Sequence, residues 1–427
     1  MMRWLWALLF ALPVQAEEFT TYKGHGGPIM ALDVAPDGQL ASASFDNSVG
    51  LWEGQTPAWL EGHDAAVTAI SFASAPMILS GGDDFRVLLW RPNAAEPLEV
   101  TTHQGKVADI ASHPEMGIAS AGWDGFISLV PLPDGVTGAT FEARVLKGHR
   151  SNVTAVAFAS DGRLYSTSSD GTLRVWEETP GSSRVILNQG FGINELLVTE
   201  DWIAYGALDG ATRIVDHEGE LIADFTLDRR PILALDYHAE THQLAVGDGE
   251  GHIMIIDTKE MRIARDFRAM RQGPVWALAF SNDGATIHAG GIDDVIYAWP
   301  VALLDQYDPV GGETRSFLRN ADTMPNGERQ FMRKCSICHA LTDGPSRKAG
   351  PTLYGVFGRQ AGTVAGYPYS DTLDGSDIIW SDETIDALFD EGPDHYIPGS
   401  KMPMQVIAQP QDRQDLVAYL KGATAEE

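Results

Sequence analysis

One interval recurs between residues 25 and 299 and decides what this chain can fold into. His25, His63, His103 and His149 are each followed, 21 residues on, by an aspartate: Asp46, Asp84, Asp124 and Asp170. Glycine precedes three of these histidines, and Thr102 precedes His103. Six residues past the aspartates stand Trp52, Trp90 and Trp176, with Val130 in the third copy. Weaker copies follow around Asp209 (ALDGATRIV), Glu250 (GDGEGHIMII) and Asp293 (GGIDDVIYAW, ending at Trp299), so the acidic positions step by 38, 40, 46, 39, 41 and 43 residues. Self-similarity at a period of about 40 residues means one supersecondary unit stacked on copies of itself, because a single unit cannot bury its own apolar face. Seven copies predict seven units.

Within each copy, short runs alternate polar and apolar residues. They are separated by turn sequences such as Pro36-Asp37-Gly38, Ser160-Asp161-Gly162 and Asn282-Asp283-Gly284, the pattern of a hairpin meander. The set resembles the WD-repeat family. That resemblance implies an all-β propeller of seven four-stranded blades, in which the His, Asp and Trp of a copy are hydrogen-bonded to each other in a structural role. The last three copies carry Asn188, Arg229 and Gln272 in place of the histidine, which predicts a looser internal network. An apolar strand precedes every copy, yet none follows Trp299, so Phe19 to Tyr22 is expected to supply the outer strand of the last blade and leave no free sheet edge.

At 427 residues the chain is long enough for two or three domains. Arg3, the apolar run Trp4 to Leu12 and the small-residue end Val14-Gln15-Ala16 read as a signal peptide over residues 1–16, far shorter than a membrane span. Export to a bacterial periplasm is the expectation, with no transmembrane segment in the mature chain. The propeller is assigned to 17–304 and a linker rich in Gly and Pro to 305–318. A net charge of -29 makes nucleic acid or an anionic lipid surface an improbable partner. The propeller offers no catalytic residues. His238 and His242 in HAETH stand four apart at a strand-to-strand turn, unlike the helical spacing of a zinc protease.

The chemistry lies in residues 319–427. Both cysteines of the chain fall in Cys335-Ser336-Ile337-Cys338-His339. This spacing lets two thiols add to the vinyl groups of one haem while the adjacent imidazole meets its iron. A redox dithiol or half of a zinc site is the competing reading; a zinc site wants two more ligands at recognisable spacing, and a redox dithiol gives no reason for the histidine.

The flanks carry a second resemblance. Gly327 to Leu341 reads as an amphipathic helix running into the attachment turn, followed by Gly350 to Arg359, Gly366 to Asp371, Ile379-Trp380, Tyr396 to Met402 and the closing Asp412 to Lys421. In order and spacing these resemble class I c-type cytochromes of the mitochondrial-like subgroup, which implies a small all-α domain with one covalent haem c. By that resemblance His339 and Met402 are the axial iron ligands, Met402 being favoured over Met404 by the family's Pro-Gly-x-Lys-Met order. The resemblance also implies that the Pro351 carbonyl orients His339 and that Arg359, Tyr369 and Trp380 hydrogen-bond the haem propionates. The family's lysine ring is replaced before the ligand by Asp390-Glu391-Gly392-Pro393-Asp394-His395, with Lys401 kept, which favours a neutral or basic partner face or recognition by the propeller.

The expected function is an exported electron carrier without substrate turnover of its own. Its haem domain would shuttle single electrons, and its propeller would dock periplasmic redox proteins. The alternative is a multi-cofactor oxidoreductase resembling quinohaemoprotein dehydrogenases, which also join a propeller to a cytochrome. Against it stand the lack of adjacent cysteines, the WD type of the repeats, and the scattered histidines of the propeller.

Overall fold

The computed structural model describes residues 20–74, 77–91, 94, 96–131, 141–176, 182–227, 231–270, 273–304, 324–344, 347–370, 372–402 and 405–425. The signal peptide and linker assignments lie outside these residues, as do Arg229, Gln272 and Met404.

Seven four-stranded antiparallel sheets are built from consecutive strands. Blade 1 runs Ile29–Val34, Leu40–Ser44, Ser48–Glu53 and Thr56–Glu61, and the pattern repeats to Val295–Pro300. Turn chemistry punctuates the strands: Gly38, at φ 89°, closes the first hairpin by donating to the Ala35 carbonyl at 2.8 Å. The ring closes as expected. Thr20–Lys23 pairs antiparallel with Val295–Pro300, Thr20 opposite Ala298 and Lys23 opposite Val295, so the first strand completes the last blade.

The apolar cores lie between blades. Ala41, Ala43 and Val49 of blade 1 pack on Val67, Ile70, Ile78 and Leu88 of blade 2, and the same arrangement recurs around the ring. Each fully buried Val, Leu or Ile contributes about 1.5–3 kcal/mol. Close packing demands a small residue on the second strand: a Cβ at Gly81 would lie 2.4 Å from a methyl of Val107 in the next blade.

Four blades contain a buried hydrogen-bond relay. His25, His63, His103 and His149 place Nδ1 2.9–3.2 Å from their aspartates, while Nε2 lies 2.7–2.8 Å from Ser42, Ser80, Ser120 and Ser166. Trp52, Trp90 and Trp176 donate to those same serines at 2.7–2.9 Å. The indole therefore donates to the hydroxyl, the hydroxyl to the imidazole and the imidazole to the carboxylate, leaving no buried polar atom of the set unmatched. In blade 6 the weaker copy shifts its turn: Asp248, two residues before Glu250, accepts from the amides of Glu250 and His252, and Glu250 itself is exposed.

The C-terminal domain is helical, with α1 at Asn326–Lys334, α2 at Asp382–Glu391, α3 at Pro393–Tyr396 and α4 at Pro410–Ala423. Ser381 and Thr384 form a capping box that starts α2. Helices α1 and α4 cross closely at Gly327, where a Cβ would lie 2.0 Å from the Asp415 carbonyl oxygen. Phe331 and Tyr419 meet across this crossing, and Asn326 donates to Asp412 and Asp415. The core behind the crossing holds Phe331, Cys335, Val356, Ile385, Leu388, Leu416 and Leu420.

Candidate functional site

Helix α1 ends in the attachment sequence. Cys335 and His339 amides donate to the carbonyls of Phe331 and Cys335, so the chain turns once more past the helix and presents Cys335, Cys338 and His339 on one side. That side faces a cavity of about 380 Å³, lined by these three residues together with Pro351, Arg359, Tyr369, Trp380 and Met402. All eight residues singled out from the sequence thus reach one cavity, although Met402 stands 67 positions from Cys335 in the chain. The remaining wall is largely apolar, with Leu353, Val356, Leu388 and Ile397.

The imidazole of His339 is oriented from behind. Its Nδ1 donates to the Pro351 carbonyl at 2.7 Å, which leaves Nε2 without a proton and available as a ligand. Gly350 makes that placement possible, because a Cβ there would lie 2.5 Å from His339 Cε1. Burial pushes the His339 pKa down, with the Pro351 bond opposing, so the ring is neutral at physiological pH.

Cys335 and Cys338 are not joined in a disulfide. Burial pushes Cys335 up to about 12, with the Cys338 charge adding, and burial also raises Cys338. Among the described residues, no group of three His, Cys, Asp or Glu side chains is placed to hold a metal ion. His238 and His242 sit at a turn, with His238 bonded to Thr241 and to the Asn282 carbonyl.

The donor set of the cavity fits a haem. Arg359 is held by the carbonyls of Tyr354 and Thr352 at 2.6 and 2.7 Å, and among the described residues no carboxylate pairs with it. Ser370 Oγ and Gln405 Oε1 are buried at the wall without a hydrogen-bond partner among the described residues. An unmatched cation and open hydrogen-bonding atoms suit a ligand with an anionic edge. Tyr369 accepts from the Val364 amide at 3.3 Å, and Trp380 pairs with Arg359 through its backbone. Tyr367, a further cavity residue that donates to the Ala349 carbonyl at 2.6 Å, carries no signal in the sequence beyond its place in the Gly366 to Asp371 segment.

Fold and site together define a c-type cytochrome domain joined to a seven-bladed propeller. The cytochrome c family model matches residues 325–424, and the WD domain, G-beta repeat model matches 16–53, 54–91, 141–177 and 265–300. Cytochrome c of Nigella damascena is 45% identical over 101 residues, which are 23% of this chain and 89% of that protein. Cytochrome c of Gossypium barbadense is 47% identical over 100 residues (23% and 88%), and that of Arabidopsis thaliana 42% over 98 residues (23% and 87%). The crystal structure of the WD40 beta propeller domain of Doa1 superposes with a TM-score of 0.56 at 18% identity, covering 66% of this chain and 96% of that one, a likeness of fold. The chain belongs to the cytochrome c family through its C-terminal domain, with a WD-repeat propeller preceding it. Membership implies a covalently bound haem c and electron transfer through it. Among the described residues no helix is long and apolar enough to cross a membrane.

Proposed function

We propose that the protein is an exported, periplasmic one-electron carrier whose haem iron is held by His339 and Met402, and whose propeller docks redox proteins beside the haem domain. The observation that supports this most is the convergence of Cys335, Cys338, His339 and Met402 on one largely apolar cavity. Bound haem supplies an iron that cycles between the ferric and ferrous states.

The chain's own residues do the rest. Cys335 and Cys338 anchor the group by thioether bonds. His339, held by Pro351, would offer Nε2 to the iron of a bound haem, and the Met402 thioether would be its second protein ligand, a pairing that favours the reduced state and raises the potential. With both residues as ligands, a bound haem would supply electron transfer and would not bind oxygen or peroxide. Leu353, Val356, Leu388 and Ile397 exclude water, and Arg359 with Tyr369 and Trp380 would face the propionates of a bound haem.

Expression through a c-type maturation system tests the reading. Intact mass should equal residues 17–427 plus one haem, and the oxidised spectrum should carry methionine-ligand absorption. Retention of residues 1–16 overturns export. A spectrum without the methionine band overturns the Met402 assignment, and a second chromophore in the propeller favours a multi-cofactor oxidoreductase.

A further inference from the structure

In an antiparallel four-strand meander, the connections between blades and the middle turn of each blade lie at the same end of the propeller. At that end Gly26, Phe45, Asn47, Asp64, Ala66 and Asp83 belong to blades 1 and 2 and to the connections entering them. The cytochrome domain sits on this end. Arg347 donates to Glu61 at 2.7 Å, with its guanidinium 4.1 Å from the centre of the Trp59 ring. Lys348 donates to the Gly26 carbonyl at 3.0 Å, and Lys401 to Asp64 at 3.0 Å. Every one of these polar contacts sets a cation of the cytochrome domain against an acid or a carbonyl of the propeller.

The contact falls at the haem site. Phe45, Asn47, Asp64, Ala65, Ala66 and Asp83 line the same cavity as Cys335, Cys338, His339 and Met402. Lys401 and Met402 are neighbours in the chain, so the group that binds Asp64 is adjacent to the proposed iron ligand. The propeller is therefore a wall of the cavity and covers this side of the cytochrome domain.

We infer that blades 1 and 2 are an intramolecular docking seat which caps the haem domain, and that a protein-sized redox partner reaches the haem edge at this face only when the domain lifts off. The inference rests on the haem reading above for its consequence, but the seat itself stands on contacts between protein groups. The cap is held loosely. Glu61 and Asp64 side chains are 69% and 60% exposed, so both ion pairs are open to screening by salt. The covalent connection makes re-docking unimolecular, so opening is reversible and independent of protein concentration. The seat also accounts for three of the ten Lys and Arg residues of 319–427: Arg347, Lys348 and Lys401 meet acids or carbonyls belonging to the same chain.

Lysine acetylation with acetic anhydride on the full-length haem-loaded protein, read by mass spectrometry, tests the seat at about 10 mM and about 500 mM NaCl, where the Debye length falls from roughly 30 Å to under 5 Å. Lys348 and Lys401 should be protected about tenfold at low salt and lose that protection at high salt, the scale of two exposed ion pairs and one cation–π contact. Lys421, paired with Asp382 inside the cytochrome domain, is the control. Two propeller variants open the seat without salt. Gly26→Gln adds a side chain whose Cβ would lie 1.6 Å from the Arg347 carbonyl oxygen, while the Gly26 amide keeps its bond to Asp46. Glu61→Lys with Asp64→Lys reverses the charges. Both should expose Lys348 and Lys401 at low salt, and both should accelerate haem reduction by reduced azurin, a one-electron protein donor, by about tenfold relative to reduction by hydroquinone. Equal lysine reactivity at both salts, or protection that survives high salt and both variants, overturns the inference. A protein whose mass or spectrum lacks the haem overturns the haem reading and leaves the lysine result to decide the seat.

Discussion

The Nδ1 of His339 lies 2.7 Å from the carbonyl oxygen of Pro351, and the glycine between Ala349 and Pro351 is packed against the same imidazole ring. A methyl group at position 350 would fall 2.5 Å from His339 Cε1, a separation that side-chain carbons do not tolerate. Gly350→Ala should therefore push the imidazole out of line, at a cost of about 1–3 kcal/mol for overpacking. Thermal unfolding followed by haem absorption should show the loss in the cytochrome domain, while the far-ultraviolet signal of the propeller strands holds to its original temperature.

Attachment and ligation separate by mutation. Cys335→Ser or Cys338→Ser removes one of two thioether bonds, so acid-acetone extraction should release haem more readily and the double variant should hold none covalently. Met402→Ala keeps the covalent haem and loses the methionine-ligand absorption. Its midpoint potential should fall by a sizeable fraction of the roughly 0.8 V that axial ligands span. An unchanged spectrum and potential would assign the ligand elsewhere.

The buried relays predict unequal costs for one substitution. Ser80 bridges His63 and Trp90, whereas Ser120 in blade 3 faces His103 with no indole opposite. Ser80→Ala strands an imidazole nitrogen and an indole N–H, and should cost about 2–4 kcal/mol. Ser120→Ala strands the imidazole alone and should cost about 1–3 kcal/mol. Urea midpoints of the two variants, compared with the parent, check the order.

Two carboxyls near the opposite end of the propeller set a pH dependence. Burial pushes Asp33 up to about 7, with the charge of Asp236 adding and the Phe72 amide opposing, and burial pushes Asp236 up to about 6. Unfolded aspartate titrates near 3.9, so between about pH 4 and pH 7 the folded state binds more protons than the unfolded one. The stabilisation is complete below that window and is lost as pH rises through it. The unfolding free energy from urea titrations should fall from pH 5 to pH 8, by on the order of 1 kcal/mol per group. Asp33→Asn and Asp236→Asn should each flatten the slope even where they lower stability overall.

The fold was legible because its signals are local and repeated. A 21-residue interval between His and Asp, turn sequences of Pro, Asp and Gly, and a missing outer strand after Trp299 state the blade, its count and its closure. The attachment site was legible because covalent chemistry demands Cys335, Cys338 and His339 within one turn of chain. Ser42, Ser80, Ser120 and Ser166 were not, although each stands four residues before its aspartate, since serine is common and only the three-dimensional relay gives it a partner. Glu250 was placed by spacing, but the turn is held by Asp248, which a fixed period cannot foresee once the turn changes shape.

By itself the sequence determined a seven-bladed propeller joined to a cytochrome c domain, because period, turn chemistry and the thioether motif are properties of neighbouring residues. Tertiary structure alone decided that the propeller walls the haem cavity. Arg347 meets Glu61 across 286 positions, and Lys401 meets Asp64 across 337. Contacts at that range follow from how two finished surfaces match in shape and charge, and neither surface exists until each domain has folded.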